Sequence, residues 1–207
     1  MEISSPSLLL GLVEKACLVL IIVYLLSRTK LFDSVVTRKL NARTQIIIAV
    51  IFGILAIYGT YSGIRTSGAI ANIRNLEPML AGLIGGPWVG LVAGLIGGVH
   101  RYFMGGFTAI PCALGTIISG LAAGVLYKIL KGKVGIWRPT LFAFIMEVID
   151  MALLLLIARP FGDAMNLVQI IAMPMILGNT IGVAIFAYML SNITGDKKSH
   201  LITWCDC

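Results

Sequence analysis

Long apolar runs separated by short polar gaps dominate the chain. Six stretches stand out: about Ser7 to Leu26, Thr44 to Ile64, Met79 to Val99, Phe107 to Leu130, Thr140 to Ala158, and Leu167 to Leu190. Each approaches or exceeds the ~20 residues a helix needs to cross a hydrocarbon core ~30 Å thick. Inside lipid every backbone N–H and C=O must find an internal partner, so an all-α bundle of membrane helices is the architecture expected. The gaps are short, and no repeat, low-complexity tract or linker marks a second folded unit. The expected organisation is a transmembrane domain over residues 1–191 and a short cytoplasmic tail over 192–207, with no output domain.

The third stretch departs from the others. Gly85, Gly86 and Pro87 interrupt it at its middle. Proline removes a backbone donor and clashes with the preceding turn, and glycines weaken a helix further. Each half then has about ten residues, or ~15 Å of helix, which is half a bilayer. The stretch reads either as a re-entrant hairpin of two half-helices or as one kinked span. Gly82, Gly86, Gly90, Gly94 and Gly98 recur every four residues, spacing that lets helices approach closely in either case.

Charge separates the two readings. Only 12% of residues are charged and 58% are hydrophobic, so lipid must solvate much of the surface. The net charge of +7 does not imply nucleic-acid binding, because the basic residues sit in the gaps between apolar runs, where they orient a membrane protein. Arg28, Lys30, Arg38, Lys39 and Arg43 crowd the first gap against Asp33 alone; Lys128, Lys131, Lys133 and Arg138 fill another; Lys197 and Lys198 lie in the tail. Six full spans cannot put all three groups on the cytoplasmic side. Five spans plus a re-entrant third segment can, with the N-terminus outside and the C-terminus in the cytoplasm. The opening Met-Glu-Ile-Ser-Ser-Pro lacks the basic region and cleavage site of a secretory signal, so the first run is read as a retained anchor. Cys17 and Cys112 lie in apolar runs and Cys205 and Cys207 in the tail, which is no disulfide framework or metal site.

This topology brings two unusual segments to the outer side. Residues 71–78 lead into the glycine-rich hairpin and residues 100–112 leave it, so Arg74 and Arg101 flank its two ends. Two guanidiniums beside glycines suit a small carboxylate, and the positive end of a half-helix starting near Leu76 to Pro78 would add to the attraction. Thr108 and Cys112 could complete a polar wall, with Asn72 and His100 as supporting polar groups. The plainer alternative is that boundary arginines reach for lipid headgroups. Deeper in the chain, Glu147 and Asp150 share a helix face, and Asn179 follows Pro174 by five residues. Ionisable groups in a bilayer face the bundle interior, so either acid could be the counter-charge to Arg101. Glu14 and Lys15 are adjacent and point apart. No nucleotide-binding loop, nucleophilic triad or metal cluster is present, so neither an enzyme nor a cofactor is expected on this chain.

These residues also carry a resemblance. Asn72-Ile-Arg74, Gly86-Pro-Trp-Val-Gly90, Gly94-Leu-Ile-Gly97-Gly-Val-His-Arg101-Tyr and Gly105-Gly-Phe-Thr-Ala-Ile-Pro-Cys112 resemble the LytS/YhcK-type five-transmembrane receptor domain. Glu147 with the apolar run after it, Arg159-Pro-Phe161 and the segment from Ile171 through Asn179 to Gly182 extend the likeness, which covers about Arg28 to Ser191. The resemblance implies a membrane input domain of a bacterial signalling protein, usually fused to a histidine kinase or a diguanylate cyclase, which would make a homodimer through the output domain. In its pyruvate-sensing members two arginines, a cysteine and a serine are implicated. Arg74, Arg101 and Cys112 match; at the serine's spacing stands Gly115, with Thr116 adjacent.

Two functions follow as expectations. One is a sensor in the bacterial cytoplasmic membrane that binds an extracellular small carboxylate such as pyruvate. The other is the substrate-binding membrane subunit of an energy-coupling-factor transporter, where broken half-helices at a binding site are also at home. A purely structural accessory subunit is the third, and predicts no response to carboxylates.

Overall fold

The structure, a computed structural model, describes residues 5–36, 40–66, 69–131 and 135–203. The elements run α1 (Ser5–Ser27), α2 (Lys30–Val36), α3 (Ala42–Tyr61), β1 (Ile64–Thr66), β2 (Ala69–Ala71), α4 (Leu76–Gly85), α5 (Pro87–Phe103), α6 (Ala109–Ile129), α7 (Trp137–Ile157) and α8 (Phe161–Thr203). Among the described residues, the 5 helices α1, α3, α6, α7 and α8 are long and apolar enough to cross a membrane. Helix α7 shows how they are built. Ala143, Met146, Glu147, Asp150 and Leu154 are buried along one stripe, while Leu141, Phe144, Ile145 and Val148 turn outward. The outward face is as apolar as the core, as lipid requires.

The third apolar stretch is a hairpin. A Cβ placed on Gly90 would lie 2.9 Å from Gly82 Cα, whereas residues eight apart in a continuous helix are about 12 Å apart. The reversal is made at Gly86, whose φ of +87° favours glycine. Pro87 follows at the first turn of α5, where its missing N–H has no helical partner to lose. The two halves are unequal: α4 has 10 residues, as expected, but α5 has 17 and carries His100 and Arg101 in its last turn. A Cβ on Gly90 would strike the carbonyl oxygen of Gly120 in α6, and one on Gly120 would strike that of Gly90. Both contacts are backbone to backbone, so glycine here sets the closeness of α5 and α6.

Neighbouring positions fix the helix directions. Gly53 meets Ile96, Gly97 meets Ala56, and the Tyr61 and His100 rings lie 5.0 Å apart, so α3 and α5 run parallel. Gly94 faces Thr116 and Gly98 faces Ala113, so α6 runs against α5. The start of α3, the end of α6 and the start of α7 therefore share one end of the bundle, with Arg43, Lys128, Lys131 and Arg138 near it. The ends of α3 and α5 and the start of α6 share the other.

Four features differ from the sequence reading. Helix α2 lies in the first polar gap. Helix α3 stops at Tyr61 rather than near Ile64, because the chain turns into a two-stranded hairpin with Ile64 opposite Ala71 and Thr66 opposite Ala69. Apolarity alone could not separate Ile64 in a strand from a last helical residue. Helix α8 begins at Phe161 rather than near Leu167, directly after Pro160, and runs unbroken past residue 191 to Thr203. Arg38, Lys39, Lys133, Cys205 and Cys207 lie outside the described residues.

Candidate ligand site

From β2 the chain dips into the bundle without helical structure. Ala71, Asn72, Ile73, Arg74 and Asn75 are all buried. Irregular backbone at such depth must be supplied with partners, and Asn72 supplies one: its Oδ1 accepts from Arg74 N (3.2 Å) while its Nδ2 donates to the Ile70 carbonyl (3.1 Å). The chain then turns into α4 with Leu76 N on the Ile73 carbonyl at 2.8 Å.

Arg74 is fully buried against α6. Its Nε donates to Thr116 Oγ1 (2.7 Å) and its Nη2 to the Cys112 carbonyl (3.2 Å). Arg101, also buried, donates from Nη1 to the Gly105 carbonyl (2.7 Å) and from Nη2 to Thr108 Oγ1 (2.8 Å). Cys112 N bonds the Thr108 carbonyl, so Thr108 and Cys112 are one turn apart at the start of α6. The structure thus brings both guanidiniums to adjoining turns of one helix, at the end of the bundle away from Arg43 and Lys128. Cys112 takes part through its carbonyl oxygen, and its buried thiol is in no disulfide.

Thr116 joins this basic half to an acidic one. Its hydroxyl lies 2.9 Å from Asn75 Oδ1 and 2.8 Å from the Cys112 carbonyl, two acceptors for one proton. Asn75 Nδ2 in turn donates to Glu147 Oε1 (3.1 Å) and Asp150 Oδ2 (3.2 Å). The carboxylates are therefore held by Asn75, and Arg101 bonds Gly105 and Thr108, so the expected Arg101 counter-charge pairing is replaced by this amide bridge. Asp150 can reach in because residue 115 is glycine: a Cβ there would collide with Asp150 Oδ1. Asn179 is buried on α8, with Nδ2 on the Met175 carbonyl at 3.1 Å. His100 is half-buried at the rim, its ring tilted against Tyr61.

Several buried polar atoms here have no partner: Arg74 Nη1, Arg101 Nε, both oxygens of Glu77, Glu147 Oε2, Asp150 Oδ1 and Asn179 Oδ1. Each such group costs about 1–3 kcal/mol if left dry and unpaired, and native interiors hold few of them. They are spread over the 72–75 segment, α4, α5, α7 and α8. Among the described residues no group of His, Cys, Asp and Glu is arranged to hold a metal ion.

Two participants escaped the sequence reading. Asn75 stands directly before α4, a position whose usual signal is a helix cap; it makes no side-chain cap and bridges to α7 instead. Glu77 is fully buried in the first turn of α4, its Oε1 lying 2.9 Å from where Gly59 would carry a Cβ. Its signal was an acid in the Leu-Glu-Pro turn just before the third apolar stretch.

The family model described as 5TMR of 5TMR-LYT matches residues 29–193. The chain belongs to this family of five-transmembrane receptor domains. Similar curated proteins include the sensor histidine kinase BtsS of Escherichia coli (strain K12), 38% identical over 190 residues that cover 89% of this chain and 34% of that protein. The sensor protein LytS of Bacillus subtilis (strain 168) is 33% identical over 205 residues, covering 90% of this chain and 35% of that protein. The sensor histidine kinase YpdA of Escherichia coli (strain K12) is 31% identical over 198 residues, covering 93% and 34%. The chain spans about a third of the length of these relatives, 34% for BtsS. No solved structure matches.

Proposed function

We propose that this chain is the membrane input part of a bacterial two-component sensor, and that it takes a small carboxylate such as pyruvate between Arg74 and Arg101. The observation that supports this most is the pair of buried guanidiniums, anchored one turn apart on α6 and each keeping an unpartnered N–H. A carboxylate accepts two parallel N–H bonds and neutralises one charge, so it relieves both costs together. The positive end of α4 adds to the attraction.

The basic ends of α3, α6 and α7 favour the cytoplasmic side, which sets the two arginines toward the exterior and the N-terminus outside. Signal would leave through α8. That helix passes the start of α4, where a Cβ on Gly182 would lie 3.0 Å from Leu76 Cδ2, and continues to Thr203. A ligand that prefers one packing of α4 on α8 would shift the population of the two, and an output domain in a homodimer would read the shift.

Thermal unfolding of the purified protein with a panel of small carboxylates tests this reading. Pyruvate at a hundred times its Kd should stabilise by about 2.7 kcal/mol, and Arg101→Gln and Arg74→Gln should lose the effect. If no carboxylate stabilises the protein, the site is refuted. Uptake of labelled pyruvate into vesicles carrying this chain alone would favour transport; binding without uptake supports sensing.

A further inference from the structure

Acids outnumber bases among the buried charged groups. We infer that the site takes its anion together with a proton, and that the acid pair Glu147 and Asp150 on α7 receives the proton. The inference rests on the anion-site reading above and adds a co-ligand to it.

Among the described residues, the buried charged side chains are Arg74, Arg101, Glu77, Glu147 and Asp150, each at most 3% exposed. A guanidinium keeps its proton in a protein, so both positive charges are fixed and only the carboxyls can adjust. Glu77 lies close to Arg74: its Oε1 and Arg74 Cα are 2.9 and 3.3 Å from one point beside Gly59. Neither of its oxygens has a partner. A carboxyl buried in that way stays neutral, because an unpaired buried charge costs far more, so Glu77 holds its proton with or without ligand.

The α7 pair is held differently. One oxygen of each acid accepts from Asn75 Nδ2, at 3.1 and 3.2 Å, and Asn75 is joined through Thr116 to Arg74 by steps of 2.9 and 2.7 Å. In the empty site these two carboxylates balance the two guanidiniums. A bound carboxylate replaces one of them as counter-charge and leaves a buried negative charge without a match, which is costly. The two acids share one neutral donor and repel each other, so a proton on either relieves the excess. The proton and the anion need not touch, since charges act over longer distances where water is excluded. Helix α7 packs on α6 and α8. Among the described residues, Arg74 and the Cys112 thiol of α6 are the titratable groups facing the pair, and α8 brings the neutral amide of Asn179. His100 stands at the rim, near Arg74.

Calorimetry on the full chain in lipid nanodiscs, in buffers of differing ionisation enthalpy, counts the protons directly. The probes are pyruvate, lactate and acetate, all ionised near neutral pH. The bound form holds one more proton than the empty form, so affinity falls as pH rises. Wild-type protein should take up about one proton per ligand, and affinity should fall about tenfold per pH unit. Glu147→Gln and Asp150→Asn each remove one charge of the pair in advance. Either variant should bind with no proton uptake, nearly independently of pH, and more tightly than wild type on the alkaline side. Damaged packing would weaken binding instead. Glu77→Gln, His100→Gln and Cys112→Ser should keep the uptake, whatever they do to affinity. Wild-type binding without proton uptake overturns the inference and leaves the anion site standing. Uptake that survives in both α7 variants, or is lost in one of the other three, also overturns it. Binding of none of the carboxylates overturns both readings. The two α7 variants are interchangeable, so one that folds suffices, and the wild-type proton count decides if neither does.

Discussion

Thr116 carries more of the site than its size suggests, and replacing it with valine tests this directly. Valine keeps the shape and the methyl that packs 3.6 Å from the Cβ position of Gly97, and removes only the hydroxyl. Arg74 Nε then loses its 2.7 Å acceptor and Asn75 Oδ1 its 2.9 Å donor, both in fully or nearly fully buried residues. The general cost of an unpaired buried group is about 1–3 kcal/mol. Measured hydrogen bonds between membrane helices average only about 0.6 kcal/mol, with a maximum near 1.7. The low figure reflects partners found elsewhere, and the guanidinium here is already committed to the Cys112 carbonyl through Nη2. Two broken bonds, one of them charge-assisted, should therefore cost about 2–4 kcal/mol. Thr116→Ser keeps the hydroxyl and loses the methyl, for a cost of about 1 kcal/mol. Equilibrium unfolding in mixed micelles, read by circular dichroism, gives both values. A valine variant as stable as wild type, or serine and valine variants equally destabilised, would refute the hydroxyl's role as the junction of the network.

Gly120→Ala sets a Cβ against the Gly90 carbonyl, a backbone contact that cannot give way without parting α5 from α6, and should cost about 1–3 kcal/mol or more in the same assay. Gly162→Ala, near the start of α8 with nothing within 4 Å, should be neutral or stabilising by up to about 1 kcal/mol; equal effects at the two positions would contradict the packing. Single cysteines introduced at Ser62 and Gly135, with the native thiols replaced, should react with an impermeant maleimide from opposite faces of the membrane, Ser62 from outside. Labelling of both from one face would overturn the helix parity. Asn75→Ala should lower stability by about 2 kcal/mol or more, since it unpairs Glu147 Oε1 and Asp150 Oδ2 together; a loss under about 0.5 kcal/mol would show that the amide bridge is not formed.

Much of this architecture can be read from the chain because lipid imposes few choices. The lengths of the apolar runs predict α1, α3, α6, α7 and α8, and Gly85, Gly86 and Pro87 mark the reversal. What lipid erases is the difference between inside and outside. On α7, Ile149 and Leu156 face outward while Met151 and Leu154 are buried, and no hydrophobic scale separates them. Polar residues report the inner face instead: Glu147, Asp150 and Asn179 are all buried, as their cost in a bilayer demands. Asn75 and Glu77 obeyed the same rule but stood in a segment whose turn-like composition suggested the surface. The depth of Arg74 was hidden for a related reason. Nothing in Asn-Ile-Arg-Asn says that the segment is carried into the bundle by a strand hairpin sealed with Ala69, Ala71 and Ile73.

The broken segment has a geometric consequence that one unbroken span could not have. Arg74 and Arg101 are 27 positions apart, which in a continuous helix is about 40 Å, more than the hydrocarbon thickness. They would then have to lie at opposite membrane faces. Reversal at Gly86 folds that distance back, and the Gly82, Gly90 and Gly120 contacts draw α4, α5 and α6 together tightly enough for both guanidiniums to meet α6 near its start. The irregular stretch at 72–75 does the remaining work. Arg74 and Asn75 instead form the turn into α4, with Leu76 N on the Ile73 carbonyl, and both side chains reach Thr116. The glycines, the hairpin and the buried turn before α4 are thus one device for gathering a guanidinium and, through Asn75, two carboxyl groups around a single hydroxyl inside a membrane.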